Sequence, residues 1–255
     1  MNAQVIDQLI NINREFYQTF AKSFSATRHQ IQPGVKKILI DIPYRSNWID
    51  LGCGNGTLSL EWAKQGRSGE YYGLDFSQDL LSEAHTALLT RTLPESLKIL
   101  FFQADITQAG WQEKIPASDW NGVLAFAVLH HIPGQEVRMK ILTSIHQILP
   151  LGGKFIFSVW QIQHSPRLMK RCMDWAQVGL SNQEVDAGDT LLDWRAELNG
   201  KSKSVGLRYV HIFTLEELQT LADQTGFTIR DCFESDGKEG NLSLYEIWEK
   251  KLGAK

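Results

Sequence analysis

The chain has 255 residues, 43% of them hydrophobic, enough to bury a full core in one large domain or two small ones, which excludes a linker or a disordered tail. A formal net charge of −3 argues against a protein that grips nucleic acid over its whole surface and leaves room only for a local basic patch. Cys53, Cys172 and Cys232 lie far apart with no CxxC pair, so neither a disulfide framework nor a cysteine-rich metal site is readable. With no basic leader ahead of an apolar stretch, and no run of about 18 apolar residues, a cytoplasmic protein with no membrane contact is expected.

Residues 1–46, including "NREFYQTFAKSFSATRHQ", read as one or two helices that precede a sheet and cover its open edge. "NWIDLGC" is a strand, followed by the helix "TLSLEWAKQG", which Gly66 stops. "GEYYGLDFS" is a second strand, and Ser77 caps the helix "QDLLSEAHTALLT". "LKILFFQADI" and "WNGVLAFAVLHHI" are near-continuous apolar runs, as expected of strands buried on both faces of a parallel sheet. The helix "QEVRMKILTSIHQIL" ends at Pro150 and the Gly152-Gly153 pair, ahead of the strand "KFIFSVW". Five such β-α repeats imply an α/β, doubly wound sheet. Residues 161–213 form a polar insertion with no clear strand period, too long for a simple connection, and are a candidate substrate lid. Thr214 and Glu217 form a capping box at the head of "TLEELQTLADQTG". "FTIRDCFES" and "LSLYEIWEK" then pair as a hairpin across "DGKEGN". The expected organisation is one domain: a helical cap (1–46), a cofactor-binding core (47–160), a substrate-side insertion (161–213) and a closing helix with an antiparallel strand pair (214–255).

"DLGCGNG", starting at Asp50, places Gly52, Gly54 and Gly56 in the turn after the first strand. A turn that bare lets backbone amides approach a ligand at the start of a helix, on the carboxyl edge of the sheet. Taken alone it fits two ligand classes. The dinucleotide fingerprint G-x-G-x-x-G/A would put a small residue where Thr57 stands, and there is no Walker lysine. Asp75 ends the second strand, placed to accept from two ribose hydroxyls, and Asp105 ends the third, beside Ile106, an apolar face suited to an adenine ring. An acid at one strand end is ordinarily a cap or a solvated loop residue, whereas Asp50, Asp75 and Asp105 together single out an adenosine-bearing ligand.

At these residues the chain resembles the class I methyltransferases that use S-adenosylmethionine. The resemblance covers residues 45–160 and implies a mostly parallel seven-stranded sheet with a closing antiparallel strand. It also implies S-adenosylmethionine as cofactor and S-adenosylhomocysteine as product. Gly52, Gly54 and Gly56 would then hold the methionine part, Asp75 the ribose, and Asp105 with Ile106 the adenine, with Phe76 and Ala127 completing the cofactor set. Past the fourth and fifth strands, His130, His131 and Trp160 become candidates for the acceptor side.

"FYQTFAKSFSATRHQ", "AVLHHI", "SVWQ", "GDTLLDW" and "RYVHIFTLEEL" are similar, in order and spacing, to stretches of the eukaryotic tRNA wobble-uridine carboxymethyl methyltransferases. That family forms a methyl ester on the carboxylate of a modified anticodon uridine and acts with a small zinc-binding partner, so tRNA and such an activator are implied partners. A carboxylate is ionised at neutral pH and needs alignment and dryness more than a base. Arg28, Arg195 and Arg208 are the candidate cations to hold it. Trp194, Tyr209 and His211 are candidates to stack on or bond to the base. The expected catalytic set is His130, Arg28, Arg208 and His211, and the expected acceptor contacts are His131, Trp160, Trp194, Arg195 and Tyr209. Asp193 departs from the resemblance, standing where a less acidic residue is expected. Two alternatives remain open: a methyltransferase of a small aromatic or carboxylic metabolite, and a catalytically silent cofactor-binding subunit.

Overall fold

In the computed structural model the described residues are 1–25, 30–198 and 202–251, with 22–25, 195–198 and 202–205 described by their backbone. The chain order is α1 (Ala3–Ser25), α2 (Pro33–Asp41), β1 (Trp48–Leu51), α3 (Thr57–Lys64), β2 (Gly69–Asp75), α4 (Gln78–Leu89), β3 (Leu97–Gln103), β4 (Gly122–Phe126), α5 (Gln135–Ile148) and β5 (Lys154–Trp160). There follow α6 (Pro166–Met169), β6 (Cys172–Met173), β7 (Asp189–Leu198), β8 (Ser202–His211), α7 (Leu215–Gln224), β9 (Phe227–Ser235) and β10 (Ser243–Lys250). The main sheet has seven strands in the order β3-β2-β1-β4-β5-β10-β9. β1 to β5 run parallel, and β10 lies antiparallel between β5 and β9.

Period-two alternation sends neighbouring residues of one strand to opposite cores. Ile49 and Leu51 face one core with Leu142 and Ile145 of α5 and Leu218 and Leu221 of α7. Trp48 faces the other with Ile38 of α2, Trp62 of α3 and Leu81 of α4. Each fully buried side chain of this kind contributes roughly 1.5–3 kcal/mol. Ser77 caps α4 by accepting from the Leu80 N–H, and Thr214 caps α7 by accepting from the Glu217 N–H.

Four features differ from the sequence reading. β3 is an edge strand with alternating burial; Phe102 is exposed and stacks on Tyr72 with ring centres 4.4 Å apart. The β3–β4 connection carries a single 3-10 turn, Trp111–Lys114, where a helix would complete the repeat. The insertion folds as its own antiparallel sheet, β6-β7-β8. Finally, α1 lies across the strand ends, against β8 and α4, while α2 packs beside the edge strand β9. Gly206 permits the approach of α1 to β8, since a Cβ there would stand 2.4 Å from Phe20 and 2.8 Å from Phe16.

Candidate active site

The three glycines of the β1–α3 turn all have positive φ (+72°, +56° and +74°), a region that other residues enter at a cost. They serve three different ends. Gly52 and Cys53 donate their N–H groups to the Leu74 carbonyl, tying the first loop to the end of β2, and a Cβ on Gly52 would lie 2.5 Å from Val128. At Gly54 nothing stands within 4 Å of the missing Cβ, so the backbone is bare toward the cleft. Gly56 packs: a Cβ there would meet Ala84 at 2.9 Å, and its residue is absent from the cleft wall.

Parallel pairing brings the acids to this loop. β1 and β2 are in register with Leu51 beside Leu74, which sets Asp75 next to the glycines. The Asp75 carboxylate accepts from Gly54 N–H (2.9 Å) and Ser77 N–H (2.8 Å). Burial pushes its pKa up to about 6 against the lowering effect of those N–H groups. Asp50 sits one layer deeper, where the Tyr71 hydroxyl donates to it. Burial, helped by the Asp75 charge and opposed by Tyr71, takes it to about 7. Asp105 behaves oppositely: burial raises its pKa, but hydrogen bonds from Thr107 and Arg14 outweigh burial and bring it below the ordinary carboxylate value.

A cleft opens over these groups, walled by Gly52, Gly54, Asp75, Phe76, Asp105, Ile106 and Ala127, and also by His131 and Trp160. A second cavity shares Gly52 and Gly54, extends to Gln30 and Gln32, and includes Asp50. The bare glycine backbone, an acceptor at the end of β2 and another at the end of β3 fit an extended adenosine-bearing ligand laid across the switch point. Ala127, at φ +57°, holds an unusual conformation pinned by two bonds from its N–H, to the Ser158 carbonyl and hydroxyl.

The roof of the cleft is α1. Ile10, Asn13, Arg14 and Tyr17 all line it, the i, i+3, i+4, i+7 spacing of one helix face. Asn13 donates to the His131 and Tyr209 carbonyls and accepts from the Tyr209 N–H. Arg14 pairs with Asp105 at 2.7 Å. The Tyr17 hydroxyl lies 2.9 Å from His131 Nε2, while His131 Nδ1 lies 3.0 Å from the Tyr209 carbonyl. A carbonyl only accepts, so Nδ1 carries a proton and donates it to Tyr209. Sequence reasoning missed Asn13, Arg14 and Tyr17; the signal was their helical spacing on the face of α1 that also carries Ile10.

The remaining expected residues lie elsewhere. His130 is fully buried behind the wall, its Nδ1 accepting from the Trp160 N–H and its ring stacked on Trp160 at 4.7 Å. Arg208 is buried between the Phe16 and Trp160 rings, 4.8 and 5.1 Å from their centres. Tyr209 is buried with its hydroxyl on Asp189 (2.6 Å). His211 bridges Asp189 (2.6 Å) and Glu217 (2.8 Å), and Arg138 pairs with Glu217 at 3.3 Å. The Glu217 carboxylate therefore holds His211 and Arg138, in place of the reciprocal half of a capping box. Burial lowers the His211 pKa, but the two carboxylates outweigh it, so the net shift is upward. Trp194 packs edge-on against Phe16 and Phe20. None of these five appears in the cleft wall among the described residues. Arg28 lies outside the described residues, and Arg195 is described by its backbone, opposite Val205. Asp193 is buried and paired with Arg171 at 2.7 Å, which accounts for an acid at that position. Among the described residues no group of His, Cys, Asp and Glu is arranged to hold a metal, and no helix is long and apolar enough to cross a membrane.

Comparison with known proteins agrees with this geometry. The family model described as "Methyltransferase domain" matches residues 23–231, and the chain belongs to that family. The tRNA (carboxymethyluridine(34)-5-O)-methyltransferase of Schizosaccharomyces pombe is 24% identical over 84% of this chain and 88% of its own length. Among solved structures, an S-adenosylmethionine-dependent methyltransferase of Methanosarcina mazei is 21% identical, covers 88% of this chain and 99% of that one, and superposes with a TM-score of 0.62. The magnesium protoporphyrin IX methyltransferase of Synechocystis PCC 6803, solved with bound S-adenosylmethionine, is 16% identical over 98% of this chain and 100% of that one, with a TM-score of 0.59. The chain is a methyltransferase enzyme whose donor is S-adenosylmethionine and whose cofactor product is S-adenosylhomocysteine.

Proposed function

We propose that this chain, acting as one methyltransferase domain in the cytoplasm, methylates the carboxylate of a carboxymethyl uridine at the wobble position of tRNA. The observation that carries the reading is the reach of the similarity to the S. pombe enzyme: 84% of this chain is far more than the cofactor core spans, so the similarity runs through the insertion as well. The cofactor supplies a methyl group on a sulfonium, which ends on a carboxylate oxygen as a methyl ester.

Asp75 holds the ribose hydroxyls, Asp105 with Ile106 the adenine, and the Gly52–Gly54 backbone the methionine end. On the acceptor side, Trp160 and His131 form the wall that meets the uridine. The His131 imidazole donates from Nδ1 to the Tyr209 carbonyl and meets the Tyr17 hydroxyl through Nε2, and so it positions. That suits an acceptor already ionised, which needs no base. Transfer from a cationic donor to an anionic acceptor removes both charges, so a closed, dry cleft under α1 favours it. His130 and Arg208 support Trp160 from behind. Methylation of a small carboxylic or aromatic metabolite is the second reading, favoured by the net charge of −3.

The test is methyl-labelled S-adenosylmethionine with tRNA bearing unesterified carboxymethyl uridine, supplied with and without a small zinc-binding activator, followed by mild alkali. Label entering the RNA and leaving as methanol is the expected result. RNA that stays unlabelled under both conditions, with label in a small carboxylic acid instead, supports the second reading.

A further inference from the structure

Arg14 forks in two directions. One arm donates to Asn11, on the preceding turn of α1, and the other donates to Asp105 Oδ2 at 2.7 Å. Asp105 Oδ1 accepts both the N–H of Thr107 (2.9 Å) and its hydroxyl (2.6 Å). A carboxylate offers about four acceptor positions. Three are filled here, which leaves one on Oδ2, beside Arg14. Arg14, Asp105 and Ile106 all line the cleft.

We propose that Arg14 is a positioning residue for recognition of the cofactor's adenine, turning the Asp105 carboxylate so that its remaining acceptor position meets the exocyclic amine. The inference rests on Asp105 as the adenine acceptor. Three points support it. The guanidinium fork is the group that can reach Asn11 and Asp105 at once, which a lysine point charge cannot do. The low Asp105 pKa keeps that acceptor an anion throughout the neutral range. And Arg14 belongs to the roof, so its ion pair ties the adenine acceptor to α1, while Asn13 and Tyr17 hold α1 in place independently.

The experiment is calorimetric titration with S-adenosylhomocysteine and with its inosine counterpart, in which a carbonyl replaces the amine. The proteins are wild type, Arg14→Gln, Asn11→Ala and Asp105→Asn. Wild type is expected to prefer the adenosine compound by at least about tenfold, since a carbonyl facing a carboxylate leaves both acceptors unmatched. Arg14→Gln is expected to weaken the adenosine compound about tenfold and the inosine compound less than about twofold, collapsing the preference. Asn11→Ala, which keeps the guanidinium and frees its anchor, should shift the ratio the same way by a smaller factor. Equal weakening of both compounds by Arg14→Gln, or tighter binding of the adenosine compound, overturns the proposal while leaving the role of Asp105 intact. A wild-type preference that survives Asp105→Asn overturns the adenine assignment itself, and the role of Arg14 with it.

Discussion

The two walls of the cleft are built in different ways. The wall proposed to hold the cofactor comes from consecutive strand ends: Gly52, Asp75 and Asp105 lie at the ends of β1, β2 and β3, and parallel register sets them side by side. The wall proposed to meet the acceptor is assembled from afar, with Asn13 of α1 meeting Tyr209 of β8 across 196 residues of sequence. One wall rests on backbone geometry and short carboxylates. The other rests on aromatic packing around buried charges, with Arg208 between Phe16 and Trp160 and His211 between two acids. The lesson is that the proposed donor site is a property of the sheet, whereas the proposed acceptor site is a property of how the added elements dock onto it.

Changes to the cofactor wall should then be the most damaging. Gly52→Ala forces a side chain into positive φ and against Val128, a backbone cost of about 1–3 kcal/mol before any clash is relieved. Loss of S-adenosylhomocysteine binding by more than about 100-fold is expected, measured by calorimetry alongside thermal melting. Asp75→Ala leaves the Gly54 and Ser77 N–H groups without their acceptor and removes the proposed ribose contact. An affinity loss of about 10- to 100-fold with the fold retained is expected from losing two charge-assisted bonds.

His211→Gln probes the docking of the insertion. Because the folded His211 pKa is raised, its contribution is complete below the unfolded imidazole value of about 6.5 and is lost as pH rises through the raised value. Denaturant titrations should show the variant about 1–3 kcal/mol less stable near pH 6 and progressively closer to wild type above neutrality. Affinity for S-adenosylhomocysteine should stay within about twofold. A larger loss would mean that the two walls are not separable.

What the sequence disclosed follows the same division. The glycine turn, the caps Ser77 and Thr214 and the β9–β10 hairpin are written in residues a few positions apart, so they are legible locally. β7 and β8 are not, because both faces of that small sheet are covered. Leu191 packs toward Val5 and Trp175, and its neighbour Leu192 toward Ile162 and Val210, which erases the alternation that would mark a strand. The charges within it, Asp193 with Arg171 and His211 with Asp189, read as solvent-exposed until their partners are known. α1 is legible as a helix, but the targets of Asn13, Arg14 and Tyr17 are set by tertiary docking. Sequence reasoning accordingly favoured Arg28, His130 and His131 and the Arg195, Arg208 and His211 of the insertion over the polar stripe of the roof.

One paired measurement tests the separation of donor and acceptor walls most directly: S-adenosylhomocysteine affinity and methyl transfer to carboxymethyl-uridine tRNA, measured together for Asp75→Ala and Trp160→Ala. Asp75→Ala should lose affinity by at least about tenfold, whereas Trp160→Ala should bind the cofactor product within about twofold of wild type and yet transfer at least about tenfold more slowly, as expected where a stacking contact to a base is removed. A Trp160→Ala protein that loses cofactor affinity as severely as Asp75→Ala would contradict the account and make the cleft a single cofactor site.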